Sequence, residues 1–409
     1  MYEIILIDRF QASLAGRDGR VRQGLPGHPE QTARARKKKG AANWRPELRE
    51  ETPKKSNSML GSHVAMHNMN NLDRIGKPGL TLQMQKNPRP EVTAMTDPRP
   101  DERSDGTDAF AEGGSVASFQ DRRDRPGLLR LAGHLGFLAI SVTLTAHAPG
   151  LWYWPAAFVQ GVFMVFLFCP LHETTHRTCF RSRWLNRLVG EVVGFMLLLP
   201  YRWYGAFHMA HHRFTQDPDR DPELALAKPT TWIQYAVILS GAIYWRFAVM
   251  GLINRALGRQ VDKKSAPYLD DRTRPLVIRE ARIHVGLLAM IAAVSILTGS
   301  GVALTYWLIP VALGQPVLRL YLLAEHWGCP TVRDMWQNTR TMQTLAPVRY
   351  LAWNMPFHAE HHANPGVPFH RLPAFSRSPF AKPEVVQNGY ARFHAGRIRD
   401  LVQHRAGPV

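Results

Sequence analysis

The sequence predicts an all-α integral membrane protein: four transmembrane helices in two hairpins, with interfacial helices and a cytoplasmic, histidine-rich cap. Three observations carry this. Residues 131–171 and 283–318 contain no Asp, Glu, Lys or Arg over 41 and 36 residues. Each stretch is broken near its middle by turn-forming residues, Ala148, Pro149 and Gly150 in the first and Gly299, Ser300 and Gly301 in the second. The 51 Lys and Arg divide as 23 before the first stretch, 17 between the two and 11 after the second, so neither turn carries a cation. A helix needs roughly 20 apolar residues to cross a bilayer, so each stretch has room for two helices and a tight turn. The side rich in Lys and Arg is the cytoplasmic one, which places both termini and every long connecting segment there.

The elements follow in chain order. Residues 1–127 are polar, rich in Pro, Gly, Asn and basic side chains, and show no sustained apolar periodicity. Such a segment buries too little surface to offset its ordering entropy, so it is expected to be a disordered extension. Its basic run (Arg34, Arg36, Lys37, Lys38, Lys39) reads as a solvated tail, since no folded nucleic-acid-binding motif accompanies it. The stretch after Met95 resembles an ordinary N-terminal lead-in, and Met95 is the expected native start. The membrane domain is expected over 128–375 and a cytoplasmic tail over 376–409. Between the hairpins, 229–245 is a further uncharged run of 17 residues. As a full span it would put the histidine motifs on its two sides across the membrane from one another, so it is expected to be an interfacial or partly inserted helix. Trp152, Tyr153, Trp154, Tyr306 and Trp307 are expected to form an aromatic belt at the outer ends of the hairpins.

Nine of the 18 His form a pattern. His172 and His176 make HxxxH in HETTH. His208, His211 and His212 make HxxHH in HMAHH, and His358, His361 and His362 repeat it in HAEHH. His326 lies just beyond the second uncharged stretch. Residues i, i+3 and i+4 share one helix face, so each box presents two or three imidazoles together. A random chain of this composition would hold HxxHH about 0.03 times. Neutral imidazole suits iron, copper, zinc and nickel. HETTH alone matches the HExxH of zinc hydrolases, but that chemistry uses about three protein ligands and leaves both HxxHH boxes unused. The three Cys contain no CxxC pair, which excludes a disulfide framework and a Cys-rich zinc domain. Imidazoles for two metals at a membrane surface point to oxygen chemistry on a lipid. A metal transporter would instead carry its ligands inside the spans.

Three boxes of the forms HxxxH, HxxHH and HxxHH flanking two hairpins resemble the membrane fatty acid desaturases. The likeness covers about residues 128–375 and includes PheHMAHHArgPheThrGlnAspPro around the second box and AsnMetProPhe before the third. It implies that the eight box His, with His326, ligate two iron ions that use O2 to place a double bond in an acyl chain. In acyl-CoA members of the family an Asn lies one turn before the residue matching His326; here that position is Leu322. Glu173, Asp217, Asp221, Glu325, Asn354 and Glu360 stand near the boxes in sequence and are the residues expected to support the ligands, since metal-bound His usually donates its other N–H to an oxygen. No His-Pro-Gly-Gly cytochrome motif is fused to the chain, so electrons are expected from a separate, ferredoxin-like carrier. The same centre could instead hydroxylate or ketolate a lipid or carotenoid. The net charge of +19, which alone would point to nucleic acid, is then the one-sided charge of a membrane protein.

Overall fold

The computed structural model describes residues 114–403. The extension over 1–113, with its basic run and Met95, lies outside the described residues, as does the end of the tail beyond residue 403. The described chain is mostly helical. Four helices are long and apolar enough to cross a membrane: Asp124–His147, Gly150–His176, Thr273–Thr298 and Leu304–His326. The first, α1 (Asp124–His147), ends where Ala148 and Pro149 were expected to turn the chain. The second comprises α2 (Tyr153–Val165) and α3 (Phe168–His176), and delivers the first histidine box from its C-terminal turns.

Order begins earlier than composition implied. Residues 114–127 were expected to be disordered, yet Phe119 is buried between Phe375 and Phe380, with ring centroids 5.4 and 6.4 Å away. Asp124 accepts hydrogen bonds from the Ser182 backbone N–H (2.8 Å) and hydroxyl (2.6 Å). A few long-range contacts hold a segment that shows no periodicity of its own.

Past the first box run α4 (Arg183–Met196) and α5 (Tyr201–Phe214), which carries the second box. The uncharged run over 229–245 is not one straight helix. It forms α6 (Trp232–Leu239) and the start of α7 (Ala242–Ala256), which meet at 54° across Ser240 and Gly241. The third apolar helix, α8 (Thr273–Thr298), packs on α7 and α5. Its first turns carry Arg274, Arg279, Glu280 and Arg282, so the helix starts well before the uncharged stretch. The fourth reaches its C-terminus as α9 (Ile309–His326), whose principal neighbour is α2. The two cross on glycine: a Cβ on Gly161 would stand 1.9 Å from the Pro310 carbonyl oxygen, and one on Gly314 would stand 2.3 Å from that of Gly161. Small residues let helix backbones approach where no hydrophobic effect drives them together.

The remaining elements close over the boxes. They are α10 (Met335–Asn338), β1 (Arg340–Gln343), α11 (Ala346–Leu351), α12 (His358–Ala363, the third box), α13 (Leu372–Ser376), β2 (Val385–Asn388) and α14 (Tyr390–Val402). β1 and β2 pair in parallel, Arg340 opposite Val385 through Gln343 opposite Asn388. The segment expected as a tail is thereby tied into the fold. His394 of α14 bonds the Leu320 carbonyl through Nε2 (2.8 Å) and Tyr235 through Nδ1 (2.9 Å). Trp152 and Trp154 are exposed at the turn after α1, as a belt requires. Trp307 is turned inward instead: its indole N–H donates to the Met196 carbonyl (2.7 Å), and it lines an apolar cavity of about 320 Å³ with Leu138, Met164, Phe195 and Ile291.

Candidate metal centre

All nine predicted imidazoles converge. Three come from spans (His172 and His176 at the end of α3, His326 at the end of α9), three from α5 and three from α12. They form two sets. In one, ligand atoms of His172, His176, His208, His212 and His361 all lie within 4.8 Å of one another. In the other, His211, His326 and His362 do the same, and His358 joins them, with its Nε2 3.2 Å from that of His326. The HxxHH spacing produces this split: within α5, His208 and His212 face the first set and His211 the second. α12 divides likewise, with His361 in the first set and His362 and His358 in the second.

The donor set fits cations. His176 Nε2 lies 2.9 Å from His208 Nε2 and 3.2 Å from His361 Nε2, and His211 Nε2 lies 3.2 Å from His326 Nε2. Both nitrogens of His172 and of His212, and Nε2 of His362, are buried without a hydrogen-bond partner. Buried polar atoms left unpaired are costly, and so many facing one centre call for a shared positive partner. Burial pushes His208, His212, His358, His361 and His362 well below the ordinary imidazole range, and the neighbouring imidazoles push them further. They are therefore neutral, the form that ligates metal. His211 goes the other way: burial alone would lower it, but Glu223 and the hydrogen bond to Asp221 together raise it.

Three of the four outer nitrogens in the four-imidazole set hydrogen-bond to oxygen. His211 Nδ1 lies 2.9 Å from Asp221 Oδ1. His326 Nδ1 lies 3.2 Å from the Asn338 carbonyl. His362 Nδ1 lies 3.1 Å from Thr215 Oγ1, whose hydroxyl is spent on the His211 carbonyl (2.7 Å) and so accepts from the ring. His358 Nδ1 lies 3.6 Å from Glu325, beyond hydrogen-bond reach, and has no hydrogen-bond partner among the described residues. The three bonded arrangements put the proton on Nδ1 and free Nε2 to point inward.

Of the six supporting residues expected from sequence, Asp221 alone hydrogen-bonds an imidazole. Glu325 stands 3.6 Å from His358 Nδ1, Glu173 stands 3.9 Å from His361 Nδ1 while accepting from Thr178 (2.9 Å) and the Phe369 N–H (3.2 Å), and Asp217 pairs outward with Arg220. Asn354 and Glu360 do other work. Asn354, at φ +59°, donates to the Phe369 carbonyl (3.0 Å) and shapes the turn before the third box. Glu360 accepts from Thr341 and Ser376 (2.5 Å each), tying α12 to β1 and α13. Sequence reading missed Thr215, Asn338 and Glu223, the last 3.7 Å from His211 Nε2. Thr215 carried a signal, being one turn after His211 on the same face; Asn338 carried none, because it acts through its backbone. His134, an isolated histidine that the sequence places outside the site, sits in α1 with Nε2 bonded to the Phe163 carbonyl (2.8 Å) and Nδ1 accepting from the Trp353 indole (3.2 Å).

The profile of the family described as "Fatty acid desaturase" matches residues 118–394. The chain is 25% identical to the sn-1 oleoyl-lipid 12-desaturase of Picosynechococcus sp. over 265 residues, 60% of this chain and 73% of that one. It is 24% identical to the dihydrorhizobitoxine desaturase of Bradyrhizobium elkanii over 242 residues, 56% and 68% of the two chains. A shorter likeness, 32% over 63 residues (15% and 18%), joins it to the sn-1 acyl-lipid omega-3 desaturase (ferredoxin) of Nostoc sp.. With a match that spans most of the described residues, and histidine clusters able to hold metal, this chain belongs to the fatty acid desaturase family.

Proposed function

We propose that the protein is a membrane-bound, non-haem di-iron acyl-lipid desaturase. The observation that carries this is the convergence of nine imidazoles, nearly all of them buried, into two adjacent sets, on a chain whose family acts on acyl groups. The five-imidazole and four-imidazole sets would each hold one iron ion, and the pair supplies O2 activation, by which hydrogens leave adjacent methylenes and a double bond forms. The balance needs one O2, two electrons and two protons for each double bond, and yields two waters. The chain's own residues do the rest. Asp221, Thr215 and the Asn338 carbonyl hold ring protons on Nδ1 and aim Nε2 inward. Burial of the imidazoles excludes bulk water, which suppresses side reactions of the activated centre.

The four apolar helices pair as two hairpins in this reading. The boxes and the cationic segments then share the cytoplasmic face, where an external carrier delivers electrons. A one-electron carrier of the ferredoxin kind suits this face, and one relative's name specifies ferredoxin for that relative. The substrate is an acyl chain presented from the bilayer.

Lipid profiling of cells with and without the gene tests the reading, with His361→Ala as control and iron measured per purified chain. A new unsaturated acyl species and about two irons per chain, both lost in His361→Ala, are expected. Unchanged product and iron in that variant would refute the assignment. Label from O2 retained in the lipid product would assign hydroxylation instead.

A further inference from the structure

One polar feature of the fourth span plays no part in the metal centre. Arg319 lies on α9 seven residues before His326, about 10 Å along the helix axis. Its guanidinium stacks on the ring of Tyr244 at 4.6 Å. Among the described residues no carboxylate comes within ion-pair distance of it, although the charges of Glu223 and Glu325 reach it. One turn deeper in the span, Gln315 is 0% exposed, and neither its amide nitrogen nor its amide oxygen has a hydrogen-bond partner. A fully buried amide left unpaired is a rare and costly state, which a ligand would relieve.

Gln315 and Arg319 face the same place, the break between α6 and α7. Gly241, at φ +72°, makes the break, and a Cβ there would stand 2.9 Å from Gln315 Cβ. Tyr244, under Arg319, belongs to the first turn of α7. Its N-cap, Gly241, has no side chain to cap it, the Ala242 N–H donates to Ser240 Oγ (3.2 Å), and the turn holds no acidic residue. A half-helix N-terminus inside a membrane protein carries partial positive charge and attracts anionic groups. Here it meets a guanidinium and an unpartnered buried amide, close to where the uncharged stretch over 283–318 ends. An ionisable residue at such a depth marks a ligand path more often than a structural ornament.

We propose that this break is the binding site for the anionic head of the acyl substrate. Arg319 and the α7 N-terminus take its charge, Gln315 donates to or accepts from its oxygens, and the chain is held with its methylenes toward the imidazoles. The shared chemistry is an anionic oxygen group, either the carboxylate of a free fatty acid or the phosphate of a phospholipid. This assignment rests on the desaturase reading.

Equilibrium binding to the iron-loaded full chain in maltoside micelles tests it, with labelled palmitate, dipalmitoyl phosphatidate and the uncharged methyl palmitate as probes. At least one charged lipid is expected to bind about tenfold or more tightly than the methyl ester. Preference for palmitate or for phosphatidate identifies the source of the head group. Arg319→Gln and Gln315→Leu should each weaken binding of the charged lipid, and Arg319→Gln should abolish the discrimination, with iron content and unfolding temperature unchanged. Equal binding of all three probes would overturn the proposal, as would full discrimination in Arg319→Gln. Should Arg319→Gln lose iron while lipid binding holds, Arg319 is a counter-charge to Glu223 and Glu325 and the proposal fails. Should Arg319→Gln not fold, the probe comparison on the unaltered chain and on Gln315→Leu still decides. Discrimination without an unsaturated product in cells would sink the desaturase reading and leave the site standing; product without discrimination would do the reverse.

Discussion

Asp221→Asn separates the two imidazole sets by experiment. Asp221 Oδ1 stands 2.9 Å from His211 Nδ1, and both side chains are almost inaccessible, at 1% and 2%. The same carboxylate holds its own loop, taking the N–H of Gln216 on Oδ2 (2.8 Å) and of Glu223 on Oδ1 (2.9 Å). Asn keeps one acceptor oxygen for His211 and the Glu223 N–H, so the ring orientation survives while the negative charge and the Gln216 bond are lost. A hydrogen bond to a charged partner contributes about 1.5–3 kcal/mol and a neutral one about 0.5–1.5. The difference, about 1–1.5 kcal/mol, is roughly tenfold in affinity for a metal on His211 Nε2. That is the lower end of the ~10–100-fold range for lost outer partners of metal-bound His. The assay is competitive titration of Fe(II) into the stripped protein against a chelator of known affinity. One site should weaken about tenfold while the other holds. Asp217→Asn is the control, because Asp217 lies on the same loop but pairs outward with Arg220. Loss at both sites, or a loss no greater than in the control, would refute the division into two independently supported sets.

Three further outcomes follow from the geometry. Glu280 of α8 receives the Arg202 N–H on both carboxylate oxygens (3.0 and 3.2 Å) and so caps α5, whose own N-cap, Pro200, offers no side-chain bond; Glu280→Ala should lower stability by about 1 kcal/mol, read as a drop in unfolding temperature that Glu280→Gln largely restores. Gly161→Val drives a side chain into the Pro310 carbonyl and should destabilise the α2–α9 contact by about 1–3 kcal/mol; a variant as heat-stable as the parent would show that the close crossing is not required. Burial, aided by Arg371 and Arg123, pulls His370 down to about 4. Because the folded value lies below the unfolded one of about 6.5, its contribution to stability is complete above pH 6.5, declines as the pH falls, and stops changing below about 4. His370→Gln should therefore flatten part of the acid loss of unfolding temperature between those values, and a superimposable pH profile would count against it.

The parts of this structure that the sequence discloses are those whose signal is local. An uncharged run needs no partner to be recognised, and HxxHH announces a shared helix face within five residues; hence the four apolar helices and all nine imidazoles were legible. Ends and supports were less so. Residues 114–127 fold because Phe119 finds Phe375 and Phe380, over 250 positions away. Asn354 and Glu360 stand beside the third box in sequence, yet the turn and the strand claim their side chains. The Asn338 carbonyl that fixes His326 could belong to any residue type. The sequence also concealed an asymmetry. Three of the four Nδ1 atoms in the four-imidazole set hydrogen-bond to oxygen, whereas in the five-imidazole set His172, His208, His212 and His361 have no hydrogen-bond partner at Nδ1 among the described residues. Three of the four are thus oriented by hydrogen bonds of the protein itself, and the other set is oriented mainly by packing. Preorganised donors bind more tightly, because less freedom is lost on ligation. Iron should accordingly fill the four-imidazole set first and leave it last, and a stripped protein given one equivalent of Fe(II) should show a single spectroscopic environment that Asp221→Asn perturbs and Glu173→Gln does not.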